Sequence, residues 1–129
     1  MNNLSYVNIF SKNIIELSGF YKNLFGFKNI PEIESPIFRG LNTGKSCIGF
    51  NAFDAYELLE ISDKSDVKGC KFLLNIDVDS KEDVDKYVSK AIESGATLIK
   101  SPYLSYYNWY QAVLLDPEEN VFRINFVCE

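Results

Sequence analysis

The groups that could carry chemistry in this 129-residue chain are carboxylates, phenols, amines, guanidinium groups and thiols, because the sequence contains no histidine. That absence excludes Ser-His-Asp and Cys-His catalysis and any metal site built on imidazole. The three cysteines, Cys47, Cys70 and Cys128, are an odd number without a CxxC pair, which favours reduced thiols in a cytosol. Any catalysis or binding is therefore expected to rest mainly on oxygen and amine groups.

Arg123 is the charged residue with the most informative sequence context. An apolar run, Ala112–Leu115, enters an Asp-Pro turn, and a strand of alternating character follows it. On that strand Phe122 and Ile124 share one face, while Arg123 and Asn125 share the other. The pattern predicts that Arg123 projects from the polar face, where a guanidinium can bind a ligand carboxylate or phosphate.

The densest aromatic cluster consists of Tyr103, Tyr106, Tyr107, Trp109 and Tyr110. Such rings can stack on flat ligands or bind cationic ones. They can equally form part of a core or of a dimer interface. Trp109 is the member that we predict to bind a ligand.

The first half of the chain predicts a strand at Leu4–Phe10 and a helix at about Asn13–Phe25. Asn13 is a suitable N-cap with Glu16 three residues later, and Gly26 suits the C-terminal end. Three shorter strands are predicted after the helix, at 37–41, 47–52 and 57–61.

The second half repeats this order. It predicts a strand at 72–78 and a helix that begins after Ser80 and stops at Gly95. Strands follow at 97–100, 109–115 and 121–127, with an aromatic-rich loop at 102–108. The internal repeat predicts one domain, residues 1–129, made of two modules at about 1–64 and 69–129.

Composition limits the partners. The net charge of −5 disfavours nucleic acid, which requires a concentrated basic face. No apolar run approaches the roughly 20 residues of a membrane helix, and the first residues lack the features of a signal peptide. We predict a cytoplasmic protein that binds neither nucleic acid nor membrane.

Four motifs carry a resemblance to a known family. They are Phe20–Phe27, Val78-Asp79 before the capped helix, Gly95-Ala96-Thr97, and Asp116–Asn120. Their order and spacing resemble the vicinal oxygen chelate superfamily, which includes glyoxalase I, bleomycin resistance proteins and extradiol dioxygenases. The resemblance implies an α+β fold of two βαβββ modules that form a concave cleft, with the helices on the convex side.

The resemblance also implies four metal-ligand positions, which fall on Tyr6, Glu57, Leu73 and Arg123 of this sequence. Only Glu57 retains a usable ligand, since leucine donates nothing and a guanidinium repels a dication. We therefore predict no metal and no other cofactor. A one-residue slip in a strand would change these positions and could bring Glu60 or Asp77 into the site. As a hypothesis, Glu57 and Arg123 form an ion pair where the metal would lie.

Together these observations predict a metal-independent small-molecule-binding protein that forms a homodimer, with resistance or sequestration as its candidate role. The predicted ligand-binding residues are Tyr6, Asn8, Glu57, Asn75, Trp109 and Arg123. Two alternatives stay open. One is a lyase, isomerase or dioxygenase-type enzyme that uses Glu57 and neighbouring oxygen ligands, with Glu57 or Tyr6 as a metal-free acid or base. The other is an interaction module without a ligand.

Overall fold

The computed structural model describes residues 3–65 and 68–128, and the chain divides into two compact units. Lys68 is the last residue of the first unit and Gly69 is the first residue of the second. Among the described residues, no helix is both long and apolar enough to cross a membrane.

The first unit follows the predicted order of strand, helix and three strands, with short helical segments added. Its strands and helices are β1 (Tyr6–Ser11), α1 (Ile14–Phe25), β2 (Lys28–Asn29), β3 (Phe38–Asn42), β4 (Cys47–Ala52) and α2 (Asp54–Leu58), with 3₁₀ turns at Pro31–Ile33 and Ser62–Lys64. The strand order in the sheet is β1-β4-β3-β2, in which β1 and β4 are parallel and the other pairs are antiparallel.

The second unit has the same topology. Its elements are β5 (Leu74–Asp77), α3 (Lys81–Glu93), β6 (Thr97–Leu104), β7 (Trp109–Leu115) and β8 (Val121–Val127). The strand order is β5-β8-β7-β6, with β5 parallel to β8 and the remaining pairs antiparallel.

Both long helices begin and end as local sequence dictates. The Asn13 side chain accepts a hydrogen bond from the Glu16 amide of α1, and Ser80 accepts one from the Asp83 amide of α3. Each cap satisfies a backbone N–H that the helix cannot pair internally. Gly26 ends α1 in the left-handed conformation, as predicted.

Each unit has its own apolar core between its helix and its sheet. In the first unit Leu17 and Tyr21 of α1 are buried with Leu41 and Phe50 of the sheet, and the Tyr21 and Phe50 rings lie 5.9 Å apart. Among the described residues of the second unit, the fully buried apolar side chains are Val84, Ala91, Ala112, Leu114, Phe122 and Ile124. Burying one such Val, Leu, Ile or Phe side chain contributes about 1.5–3 kcal/mol.

The prediction of a strand at residues 57–61 is wrong. Residues Asp54–Leu58 form the helix α2, because Ala55, Glu57 and Leu58 are good helix formers and the segment has no strand to pair with. The fourth strand of the sheet is instead β2, whose two residues are too few to produce a periodic signal.

The predicted loop at 102–108 is also partly wrong, because β6 extends to Leu104. Pro102 is tolerated inside this strand because β6 lies at the edge of its sheet, where a backbone N–H is not needed on the outer side. The first strand of this unit is shorter than predicted, and Phe72 and Leu73 precede it as exposed residues.

Candidate functional site

The polar face of the second sheet brings several side chains of three neighbouring strands together. On β8, Phe122 and Ile124 are in the core, so Arg123 and Asn125 lie on the opposite face. Asn75 of β5 is the register partner of Arg123, and Asp77 is the partner of Asn125. On the other side of β8, Gln111 of β7 is paired with Asn125.

Two amide side chains hold Asp77 on this face. Its Oδ1 atom accepts hydrogen bonds from Asn125 Nδ2 at 2.9 Å and from Asn75 Nδ2 at 3.0 Å. A carboxylate can only accept at neutral pH, so it fixes the Asn125 amide with its nitrogen toward Asp77. The oxygen of Asn125 therefore points away from this network.

Gln111 makes a second hydrogen-bonded group with two phenols. Only 2% of its surface is exposed, and its Nε2 atom donates to the hydroxyl oxygens of Tyr103 at 2.9 Å and Tyr107 at 3.2 Å. The hydrogen bond from Gln111 and the nearby positive charge of Arg123 lower the pKa of the Tyr107 phenol, and desolvation opposes them.

Aromatic rings extend the face beyond Gln111. The Tyr107 and Trp109 rings meet edge to face with centroids 5.0 Å apart. The Tyr106 and Tyr107 rings also meet edge to face, with centroids 4.8 Å apart. Lys100 Nζ lies 3.7 Å from the centroid of the Tyr103 ring, a cation–π arrangement. Part of the cluster faces the other way, since the Tyr110 hydroxyl donates to Asp85 of α3 at 2.9 Å.

Three buried polar atoms on this one face have no hydrogen-bond partner among the described residues. They are Gln111 Oε1, Asn125 Oδ1 and Arg123 Nε. An unsatisfied buried polar group costs about 1–3 kcal/mol. Gln111 Oε1 and Asn125 Oδ1 are acceptors on register partners, and Arg123 Nε is a donor two residues from Asn125. These three atoms are therefore available to bind polar groups of a ligand.

The corresponding face of the first sheet carries Tyr6, Asn8 and Phe10 on β1. Burial raises the pKa of the Tyr6 phenol, and Cys47, its register partner on β4, adds to the increase. The Phe10 ring stacks on Tyr56 of α2 with centroids 4.0 Å apart. Glu57 lies in α2 with an exposed side chain, and not on a strand of this sheet.

The fold and sequence find a close match among solved structures. A glyoxalase/bleomycin resistance protein/dioxygenase family enzyme from Burkholderia phytofirmans PsJN is 64% identical, with a TM-score of 0.96, and the match covers 98% of this chain and 100% of that chain. This chain belongs to that family. No protein-family model and no curated protein matches it.

Two more distant solved structures share the fold. Lactoylglutathione lyase from Agrobacterium tumefaciens is 12% identical with a TM-score of 0.71, over 98% of this chain and 94% of that one. A glyoxalase-related enzyme from Fulvimarina pelagi is 12% identical with a TM-score of 0.79, over 98% and 88%. At these identities the likeness concerns the fold, and it confirms the predicted α+β class of βαβββ modules.

Glu57 and Arg123 do not lie at equivalent places in the two units. Arg123 lies on β8, the last strand of its unit, whereas Glu57 lies in α2 and not on β4, the last strand of the first unit. Arg123 is the register partner of Asn75, two residues after Leu73, and the residue two after Tyr6 is Asn8, whose partner is Gly49. By register, the residue of the first unit that is equivalent to Arg123 is therefore Gly49.

Taken unit by unit, the residues at the carried-over positions are poor metal ligands. In the first unit Tyr6 and Gly49 offer one weak oxygen ligand, and in the second unit Leu73 offers none and the Arg123 guanidinium repels a cation. At Gly49 a Cβ atom would collide with Asn8 Oδ1 and would lie 2.8 Å from Phe38 Cζ, so these two side chains already cover the position. Among residues 3–65 and 68–128, no cluster of three or more potential metal-binding side chains is present.

The structure brings some of the predicted site residues together. Asn75 and Arg123 are paired on neighbouring strands, with Trp109 on the same face of the sheet, while Tyr6 and Asn8 share a face of β1 in the other unit. Sequence analysis missed Gln111 and Asn125 as site residues. The available signals were a glutamine inside the otherwise apolar strand β7 and the position of Asn125 on the same face of β8 as Arg123.

Proposed function

We propose that this family member is a metal-independent small-molecule-binding protein whose ligand binds on the polar face of the second sheet. The observation that carries the proposal is the set of three unpartnered buried atoms on Gln111, Asn125 and Arg123. Buried polar groups in native proteins nearly always have partners, so atoms that the chain itself leaves unpaired indicate water or a ligand. The aromatic rings of Tyr107 and Trp109 offer apolar surface beside them.

Arg123 is the residue most suited to fix such a ligand. Within its own unit, no described carboxylate forms an ion pair with it, although its Nε atom is buried. An anionic group on the ligand would satisfy both its charge and its unpaired donor. Asn75 and Trp109 complete the proposed site in this unit, and Tyr6, Asn8 and Glu57 stay predictions in the other. Sequestration or resistance, a homodimer and a cytoplasmic location are further parts of the proposal.

Replacement of Arg123 by methionine tests the binding proposal. A library of small carboxylates, phosphates and aromatic compounds would be screened by the shift of the thermal unfolding midpoint. We expect anionic ligands of the wild-type protein to lose at least about tenfold in affinity with Arg123→Met, because a hydrogen bond to a charged group is lost. Lys45→Met removes the same charge from an exposed turn and serves as the control. Equal shifts in all three proteins would contradict the proposal.

An enzyme is the second candidate, and two observations favour it. The Burkholderia relative, 64% identical, is described as a family enzyme. In this chain the phenol with the lowered pKa is Tyr107, next to Arg123, so it is better suited to acid–base work than Tyr6, whose pKa is raised. Turnover of thiol adducts, catechols or epimerisable acyl compounds that disappears with Tyr107→Phe would favour the enzyme over the binding protein.

A further inference from the structure

The unpaired atoms of the second sheet differ in chemical character, and the difference indicates what kind of ligand fits. Gln111 Oε1 and Asn125 Oδ1 are acceptors, whereas Arg123 Nε is a donor that carries a positive charge. Asn125 is fully buried, and its orientation is fixed by Asp77, so its free oxygen faces away from the carboxylate. The face therefore requires one group that donates and another that accepts.

Along the strands, the charged side chains Arg123 and Asp77 follow each other in the same direction as the unpaired donor and the unpaired acceptors. Arg123 lies beside Asn75, and one strand repeat further along, Asp77 lies beside Asn125. Residues two apart on a strand are separated by roughly 6.5 Å. Since a hydrogen bond spans about 2.9 Å, a carboxylate on Arg123 and an ammonium group on Asn125 and Gln111 would have to be close neighbours in the ligand.

Going from Arg123 past Asn125 and Gln111, the sheet next presents aromatic rings. Along β7, Val113 is paired with Arg123, Gln111 with Asn125, and Trp109 with Val127. Trp109 contacts Tyr107, whose hydroxyl is bound to Gln111. A ligand that extends past its ammonium group would thus meet an aromatic surface.

We infer that the ligand is a small zwitterion of the α-amino acid type with an apolar or aromatic side chain. Its carboxylate binds Arg123, and its ammonium group donates to Gln111 Oε1 and Asn125 Oδ1 in the field of Asp77. Its side chain packs on Trp109 and Tyr107. This inference rests on the proposed function, because it names the chemistry of the ligand at the same site.

Three probes on the wild-type protein test the inference by isothermal titration calorimetry. Phenylalanine has both charges, 3-phenylpropionate lacks the ammonium group, and phenylalaninamide lacks the carboxylate. We expect phenylalanine to bind and each of the other two to bind at least about tenfold more weakly, since each leaves charged or buried partners unpaired. Asn125→Ala should reduce the advantage of phenylalanine over phenylpropionate, and Asn23→Ala on the exposed face of α1 should leave it unchanged.

The possible failures are distinguishable. If phenylpropionate binds as tightly as phenylalanine, or if only compounds without an amino group bind, the zwitterion is wrong and the binding protein stands. If neither these probes nor the wider library binds the wild-type protein, both the zwitterion and the binding protein are wrong. Because the probes are compared on unmodified protein, a folding defect in Asn125→Ala does not affect this decision.

Discussion

At the scale of single residues, hydrogen bonds to neighbours shift the pKa values of two phenols, Tyr107 and Tyr110, in opposite directions. Tyr107 accepts a hydrogen bond from Gln111, which lowers its pKa, while Tyr110 donates to Asp85, which raises its own. The first arrangement stabilises the phenolate and the second stabilises the neutral phenol. The pKa values of Tyr107 and Tyr110, which are three positions apart in the sequence, are thus shifted in opposite directions from the ordinary value of 10.0.

The Tyr107 phenol, whose pKa is lowered, should ionise before Tyr6, Tyr56 and Tyr110, whose pKa values are raised, in an ultraviolet titration of the folded protein. Tyr107→Phe should remove this first step, and Gln111→Leu should move it to higher pH because the donor is lost. Tyr106→Phe is the matched control, since its side chain is 98% exposed. A first step that survives in Tyr107→Phe would assign the low pKa to another residue.

The same shifts have opposite consequences for stability. Because the folded pKa of Tyr107 is lowered, its contribution is present above the unfolded value of 10.0 and is lost as pH falls through the folded pKa. The folded pKa of Tyr110 is raised, so its contribution is present below 10.0 and is lost as pH rises through the folded pKa. The pH-dependent change due to Tyr107 therefore lies between its folded pKa and 10.0, and the change due to Tyr110 lies above 10.0.

At the scale of elements, the turn between β7 and β8 positions the candidate site. Asp116 is 2% exposed, and its Oδ1 atom accepts hydrogen bonds from the amides of Glu118 at 2.8 Å and Asn120 at 3.0 Å. Asn120 Nδ2 donates to the same carboxylate. This network fixes the register of the hairpin, and through it the pairing of Gln111 with Asn125.

Asp116→Ala should lower the free energy of unfolding by about 2–3 kcal/mol, because it leaves several donors of the turn without an acceptor. Urea denaturation measures the change. Asp63→Ala removes a carboxylate with an exposed ion pair and should change stability by less than about 1 kcal/mol. A loss at Asp116 no larger than at Asp63 would show that the turn network does not stabilise the hairpin.

Elements with local causes could be predicted from the sequence. The caps at Asn13 and Ser80, the stop at Gly26 and the alternation of β8 depend on residues within one helical turn or one strand. Glu57 was placed wrongly because strand formation requires a partner, and the sheet pairs β2 instead. Gln111 was missed because it becomes a candidate site residue only through its pairing with Asn125 on the neighbouring strand. The sequence of one strand does not specify which residues of another strand it pairs with.

At the scale of the whole molecule, the chain has the family fold, whereas the residues at its carried-over positions are poor metal ligands. The fold comes from the apolar faces and caps of two similar units, whose cores do not include the side chains of Tyr6, Leu73 or Arg123. Fold and metal chemistry can therefore change independently. The homodimer stays a prediction at this scale.

The purified protein should contain less than stoichiometric Zn, Ni, Mn or Fe, and chelator treatment should leave its thermal midpoint unchanged. The reason is the ligand chemistry of the four positions, of which Tyr6 alone offers an oxygen donor. Elemental analysis after gel filtration provides the measurement. Stoichiometric metal that is retained through this step would contradict metal independence.

The packing over Gly49 has an evolutionary consequence. A histidine or glutamate at this position would have its Cβ atom in the space that Asn8 and Phe38 now occupy. Either substitution at Gly49 would therefore require the ends of the Asn8 and Phe38 side chains to move. The residue that position 49 can carry is thus coupled to positions 8 and 38, and we expect these three positions to vary together among related sequences.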